Sequence, residues 1–418
     1  MQTKGVRIYG ADDIRLETFE LPPMQDDEIL AKVVTDSVCM STYKFVKLGQ
    51  AAARAHKDMA NNPCIIGHEL CGEIIDVGSK WQHKYQKGEK FIIQPALNAT
   101  GVPDSAGFTF KYCGGNSLYI VIPRQFMELD YLIKCKFDSF YFGSLTEPLC
   151  CIARAVKRFY HTTPGFYEHE LGIKQGGNMI ILAGAGPMGL GAIDYCLHNE
   201  GKLPGLLVVT DVDDDRLARA EKMYPVEAAR KDGIELKYVN TGKLDDPVKS
   251  LRDITGGHGY DDVLVMAPVT AVIEQGDAIM AHDGCLNFFA GPTNTELKAN
   301  INFFNVHYGA HHFVGTMGGT EVDMIECADL MAKGKLDPSS MLTHIGGMNA
   351  VIGTVLNLPN IKGGKKLIYN HLDLPLIALE DLKNFSDPRL KKLGEMVDAN
   401  HGRWSSECEK YLLENFSK

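Results

Sequence analysis

Residues 180–194 read IILAGAGPMGLGAID. Gly184, Gly186 and Gly189 form G-x-G-x-x-G, directly after an apolar run of strand length and at the start of a helical stretch. In such a turn the first glycine permits the tight bend. The second lets a pyrophosphate approach the backbone, and the third lets helix and strand pack closely. The helix N-terminus adds free N–H groups and a partial positive charge for the phosphates. Pro187 and Met188 lie between the last two glycines and join them as candidate cofactor contacts.

The next apolar run, LLVVT, ends in Asp211. This acid stands further from Gly184 than the usual ~20 residues, and the surplus fits the extra residues 198–205. A carboxylate there accepts both ribose hydroxyls of NAD and repels the 2′-phosphate of NADP. Arg216 stands close by and could bind a phosphate, which leaves NADP open. A structural Gly-rich turn with a surface aspartate would share the glycines, but the full strand–turn–helix–strand–acid context points to nucleotide binding. Further contacts are expected where later strands end, at Ala267, Pro268, Phe289, Ala290, Gly291 and the Gly315-Thr316 turn. Small residues there also serve tight turns.

Outward from this motif the pattern alternates. Strands are expected at 179–183, 205–210, 262–266, 285–290 and 313–315, with helices at 188–198, 215–224 and 320–333. Such alternation implies an α/β, doubly wound parallel sheet of the Rossmann kind. The first 150 residues read differently. Short runs at 29–35, 72–77, 91–94 and 118–122, bounded by Gly, Pro and Asp, suggest a barrel-like β domain. The tail mixes Gly363-Gly364-Lys365-Lys366 with apolar runs and ends in a helix near 408–416. The expected organisation is a β-rich domain over 1–155, a nucleotide domain over 156–331 and a return segment over 332–418.

The chain has 418 residues, a length that favours two or three domains. It is 45% hydrophobic and 23% charged, ordinary for a globular protein. A net charge of −10 without a basic stripe argues against nucleic-acid binding. The N-terminus has no apolar signal region, and the apolar run 179–193 is too short and Gly-rich to span a membrane. Eleven cysteines without a C-x-x-C pair argue against a disulfide framework. A soluble cytoplasmic protein is expected.

The segment Gly67-His68-Glu69-Leu70-Cys71-Gly72-Glu73-Ile74-Ile75-Asp76-Val77-Gly78 resembles the G-H-E-x-x-G-x-V-x-x-V-G signature of zinc-containing medium-chain dehydrogenases/reductases. Ile74 and Asp76 are tolerable variants. Val38-Cys39-Met40-Ser41, followed by Gly49, is similar to the family's cysteine-ligand segment. Glu147-Pro148-Leu149 is similar to the segment that supplies a ligand in the polyol dehydrogenase branch. Gly334-Lys335-Leu336-Asp337-Pro338 and Thr343-His344 match the start of the family's return segment, so the resemblance covers nearly the whole chain.

The resemblance implies a GroES-like catalytic domain beside the Rossmann domain. It implies one catalytic zinc on Cys39, His68 and Glu147, with Glu69 a nearby or alternating ligand. Three protein ligands leave a position open for substrate, as catalysis requires. Taken singly, Cys39 could be a buried thiol, His68 a core histidine and Glu147 a helix-terminal carboxylate. Zinc would polarise the substrate oxygen, hydride would pass to the nicotinamide in a dry cleft, and Ser41 would relay the proton. A surface serine is the alternative reading of Ser41.

The chain also departs from the family. The stretch 95–116 holds only Cys113 where many members bind a structural zinc with four cysteines, so no structural zinc is expected. Met40 replaces a frequent glycine, Lys44 a frequent histidine, and 159–171 reads as an insertion. Glu147 and the missing cysteines imply the polyol and sugar branch. Length and tail most resemble sorbose 1-phosphate reductases. The implied substrate is a ketose or hexitol phosphate, with Lys44, Lys47 and Arg54 as candidate anchors or mere surface charges. An unphosphorylated polyol is the close alternative. A zinc-free reductase or a non-catalytic structural protein on the same scaffold stays open, though the intact ligand trio argues against both. The resemblance further implies a homodimer or homotetramer.

Overall fold

Strand Asn178–Leu182, which precedes the glycine turn, lies near the middle of a six-stranded parallel sheet. From edge to edge the order is Glu235–Asn240, Leu206–Asp211, Asn178–Leu182, Tyr260–Val265, Met280–Phe288 and His312–Gly315. Counted along the chain this is 3-2-1-4-5-6, the doubly wound order whose direction reverses beside the first strand. Every pairing is parallel. The three middle strands are almost wholly buried, which is why they read as continuous apolar runs rather than alternating ones.

These facts come from a computed structural model that describes residues 1–97, 101, 104–163 and 165–416. The chain divides into two compact units. One holds 148–323 and 333–337, including the parallel sheet; the other holds 1–147, 324–332 and 338–418. The division falls between Glu147 and Pro148, within helix Phe140–Lys157.

The second of these units carries an eight-stranded sheet. Its order is Ile377–Ala378, Leu342–Gly347, Lys365–Tyr369, Ile29–Val38, Leu70–Val77, Lys90–Ile93 and Leu132–Lys134, with Tyr119–Ile122 also paired to Ile29–Val38. Strand Lys365–Tyr369, which follows the Gly363-Gly364 pair, lies antiparallel against Ile29–Val38. The return segment therefore completes the sheet begun by the N-terminal residues. All five residues of Lys365–Tyr369 are buried, including both lysines.

Several elements differ from the sequence-based expectation. An N-terminal hairpin, Gln2–Gly10 with Asp13–Glu20, forms on alternating exposed and buried residues. The strand expected at 285–290 runs instead over Met280–Phe288, so Phe289 and Ala290 lie beyond its end. The insertion folds as a small hairpin, Tyr160–Thr162 with His169–Leu171. It is fastened by Thr162, whose N–H and hydroxyl both donate to Asp283. Among the described residues no helix is long and apolar enough to cross a membrane.

Candidate active site

Cys39 ends the run that begins as strand Ile29–Val38 and immediately precedes helix Met40–Leu48. His68 and Glu69 stand just before strand Leu70–Val77, which pairs with Ile29–Val38. Strand pairing thus brings residues some thirty positions apart to one place. The ligand atoms of Cys39, His68 and Glu69 lie within 4.8 Å of one another. Gly67 makes the approach possible. It adopts φ +94, and a Cβ there would stand 2.6 Å from Asp36 Oδ2.

The helix after Cys39 supplies the partners of the histidine. Ser41 Oγ donates to Cys39 Sγ at 3.1 Å and lies 3.2 Å from His68 Nε2. Thr42 Oγ1 lies 3.3 Å from His68 Nδ1 on the buried side. Phe108 packs its ring 5.0 Å from the imidazole. Thr42 therefore holds the ring by one nitrogen while the other faces Cys39 and Ser41.

Glu69 is almost completely buried. Its Oε1 accepts from Lys365 Nζ at 2.5 Å, and its Oε2 has no hydrogen-bond partner among the described residues. Desolvation, then the carboxylates of Glu69 and Glu147, push the Cys39 thiol up to about 12 against the opposing pull of Lys365 and Ser41. Burial works against the charge on Lys365, but Glu69, Cys39 and Glu147 outweigh it and raise its pKa. Glu147 therefore acts electrostatically on both groups, although it is not one of the three atoms in the tight cluster.

This donor set fits a zinc ion. One thiol, one imidazole and the carboxylate of Glu69 are gathered, and the Glu69 Oε2 is buried without a hydrogen-bond partner among the described residues. Such a mixture of S, N and O donors suits Zn²⁺. Lys365, Thr42 and Asp36 were not singled out from the sequence. Asp36 is wholly buried beside His68 and Glu69. Burial pushes its carboxyl up to about 8, and Asn116 Nδ2 donates to it at 2.9 Å. Cys113, alone in its stretch, is a buried core residue packed with Ile65, Phe91 and Phe126.

Lys47 pairs with Asp12 at 2.7 Å on the exposed side of its helix. Arg54 is half-buried, and desolvation lowers its pKa.

The nucleotide turn belongs to the other unit. Here the left-handed residue is Ala183, at φ 55, so the bend falls one position before the first glycine. A Cβ on Gly184 would meet Ile181 at 2.6 Å, and one on Gly189 would stand 2.0 Å from the Gly184 carbonyl. Around Gly186 a Cβ would meet nothing within 4 Å, which leaves the open room a pyrophosphate needs. Gly186 caps helix Pro187–His198, with Met188 in its first turn.

Asp211 is buried and fastens the turn. Its Oδ2 accepts from Ala185 N at 3.3 Å, and its Oδ1 from Val212 N at 2.9 Å. Arg216 faces solvent 3.8 Å from Asp213. Ala267 and Pro268 follow strand Tyr260–Val265, and Ala290 N donates to Val265 O at 3.2 Å, so all three gather at neighbouring strand ends. Gly291 is exposed beside them. Thr316 follows the edge strand, and its Oγ1 is buried without a hydrogen-bond partner among the described residues.

Comparison with known proteins agrees with this geometry. Residues 25–129 match the alcohol dehydrogenase GroES-like domain, and 187–333 match the zinc-binding dehydrogenase domain. Mannitol-1-phosphate 5-dehydrogenase of Aliivibrio fischeri is 46% identical over 99% of this chain and 98% of its own. L-sorbose 1-phosphate reductase of Klebsiella pneumoniae is 44% identical over 98% of this chain and 97% of its own. The crystal structure of 2R,3R-butanediol dehydrogenase from Bacillus subtilis shares the fold, with a TM-score of 0.71 and 20% identity over 88% of this chain and 99% of its own. The chain belongs to the zinc-type medium-chain dehydrogenase/reductase family, in its polyol dehydrogenase branch, and is an oxidoreductase.

Proposed function

We propose that this enzyme interconverts a ketose phosphate and the corresponding hexitol phosphate. The observation that carries the reading is that two relatives matching over nearly the full chain are both named for a sugar or polyol phosphate. Cys39, His68 and Glu147 would hold one zinc ion, with Glu69 exchanging between Lys365 and the metal. A zinc ion bound there supplies Lewis acidity at the reacting oxygen of the substrate. Ser41, in contact with Cys39 and His68, takes up and passes on the hydroxyl proton.

The nicotinamide cofactor binds through Gly184, Gly186, Pro187, Met188 and Gly189. Ala267, Pro268, Ala290, Gly291 and Thr316 form the rest of its bed. Asp211 favours NAD by accepting the ribose hydroxyls and repelling a 2′-phosphate. Exposed Arg216, tied only loosely to Asp213, is the residue through which NADP would be accepted instead. A homodimer or homotetramer and a cytoplasmic location go with this reading, the latter on cysteine usage.

The test measures zinc per chain and follows NADH oxidation with sorbose 1-phosphate, fructose 6-phosphate and the free ketoses. About one zinc per chain with turnover confined to a phosphorylated ketose is the expected result. Turnover of free ketoses alone would keep the chemistry and replace the substrate by an unphosphorylated polyol. A metal-free active enzyme would reject the zinc assignment.

A further inference from the structure

Glu147 ends the first stretch of helix Phe140–Lys157, because Pro148 follows it inside the helix. Proline has no N–H to give to the carbonyl four residues back, here that of Ser144. The helical ladder is thus interrupted directly after Glu147. Residues 140–147, about two turns, depend correspondingly more on contacts from outside the helix.

Those contacts come from three sides. Thr35, on strand Ile29–Val38, donates from Oγ1 to Phe140 O at 3.0 Å and accepts from Ser144 Oγ at 2.8 Å. Gly143 lies so close to the neighbouring sheet that a Cβ there would stand 2.2 Å from Cys71 Sγ. The third side is the C-terminal helix Ser406–Phe416. Phe140 N and Tyr141 N, free at the start of their helix, donate to Glu409 Oε2 and Oε1 at 2.6 and 2.8 Å. Ser139 Oγ donates to Ser406 Oγ beside them. Glu409 is 3% exposed. It is itself fixed by Tyr369 Oη, which donates to Oε1 at 2.9 Å and accepts from Trp404 Nε1 at 2.9 Å. All three partners of the carboxylate are donors, a demand that an amide cannot meet with both of its ends.

We propose that Glu409 is a positioning residue of the metal site, which sets the place of Glu147 by gripping the first turn of its helix. That role rests on the assignment of Glu147 as a zinc ligand above. Glu409 touches neither metal nor substrate. It acts through the short helical stretch that Pro148 uncouples from the rest.

The test measures zinc affinity by competition with a chromophoric chelator, and the visible absorption of the Co²⁺-loaded protein as a report on ligand geometry. The proteins are the wild type, Glu409→Gln, Glu409→Asp, Glu147→Gln, the double variant Glu409→Gln, Glu147→Gln, and Trp404→Phe. Glu409→Gln sets an NH₂ group against one of the helix amides. It should weaken zinc binding on the order of ten-fold and alter the Co²⁺ spectrum, as loss of a support behind a metal ligand does. Glu409→Asp draws the carboxylate back by one methylene and should show the same change in lesser degree. In the Glu147→Gln background Glu409→Gln should have no further effect, because the residue it positions is already gone. Trp404→Phe loosens the same core without touching the helix amides and should bind zinc as the wild type does. Wild-type affinity and spectrum in both Glu409 variants, an additive loss in the double variant, or an equal loss in Trp404→Phe would overturn the positioning role alone. Wild-type zinc affinity in Glu147→Gln would overturn the ligand assignment beneath it.

Discussion

Lys365 Nζ lies 2.5 Å from Glu69 Oε1, and the two side chains are only 8% and 1% exposed. A buried ion pair of this kind is costly to break from one side, because the remaining charge is left desolvated. The loss is about 3–5 kcal/mol. Lys365→Met should therefore destabilise the chain by about that amount in urea unfolding. The double variant Lys365→Met, Glu69→Gln should recover part of the loss, since it leaves no lone charge. A single variant as stable as the wild type would show that the buried pair contributes nothing to folding.

Thr42 is the second support of the site. Its hydroxyl lies 3.3 Å from His68 Nδ1, on the side of the ring away from Cys39. Partners of this kind fix the orientation of a metal-binding imidazole, and their loss weakens metal affinity about 10–100-fold. Thr42→Val keeps the shape and removes the hydrogen bond. Zinc affinity by competition with a chromophoric chelator should fall within that range while the folded structure persists. Unchanged affinity would mean that packing on Phe108 alone orients the ring.

How far such supports can be read from a sequence depends on distance along the chain. The glycine turn, Asp211 and the Gly67-His68-Glu69 segment are local patterns, and the structure places them on the elements that the patterns imply. Lys365 and Glu69 are 296 residues apart. Nothing in Gly363-Gly364-Lys365-Lys366 reports that a strand follows, buried through both lysines, because lysine ordinarily marks a solvated position. The sheet pairing with Ile29–Val38 overrides that local signal. Asp36 was hidden in the same way, since its burial depends on Gly67, Gly115 and Asn116 closing round it. In the nucleotide turn the positive φ falls on Ala183, just before the first glycine, a conformation that the glycine spacing does not report.

Glu409, on the C-terminal helix Ser406–Phe416, accepts from Phe140 N at 2.6 Å, Tyr141 N at 2.8 Å and Tyr369 Oη at 2.9 Å. It thereby caps the helix that carries Glu147. Burial pushes its carboxyl up to about 7 from 4.5, although Tyr369, the two amides and Lys90 pull the other way. An acid whose pKa is raised by folding binds more protons in the folded state. Stability then falls as pH rises between about 4.5 and 7, by about 3 kcal/mol in all. Glu409→Gln removes that dependence. Urea unfolding followed by the fluorescence of Trp404, whose Nε1 donates to Tyr369 Oη, should show the wild type losing more stability than the variant from pH 5 to pH 7.5. Parallel losses would show that the carboxylate is ionised throughout.

The glycines of the nucleotide turn separate folding from binding. A methyl group on Gly189 would collide with the Gly184 carbonyl at 2.0 Å and force helix Pro187–His198 off its strand. Gly189→Ala should therefore lower stability, by about 1–3 kcal/mol as for other overpacked sites, and lose NADH binding with it. A methyl group on Gly186 meets no protein atom within 4 Å, and its φ of −77 suits alanine. Gly186→Ala should keep the wild-type Tm or raise it slightly. NADH affinity, measured by fluorescence titration, should still fall, because the methyl group takes the room left for the pyrophosphate. Wild-type affinity in Gly186→Ala would mean that the phosphates lie elsewhere along the turn, and that the open space at Gly186 has no part in holding the cofactor.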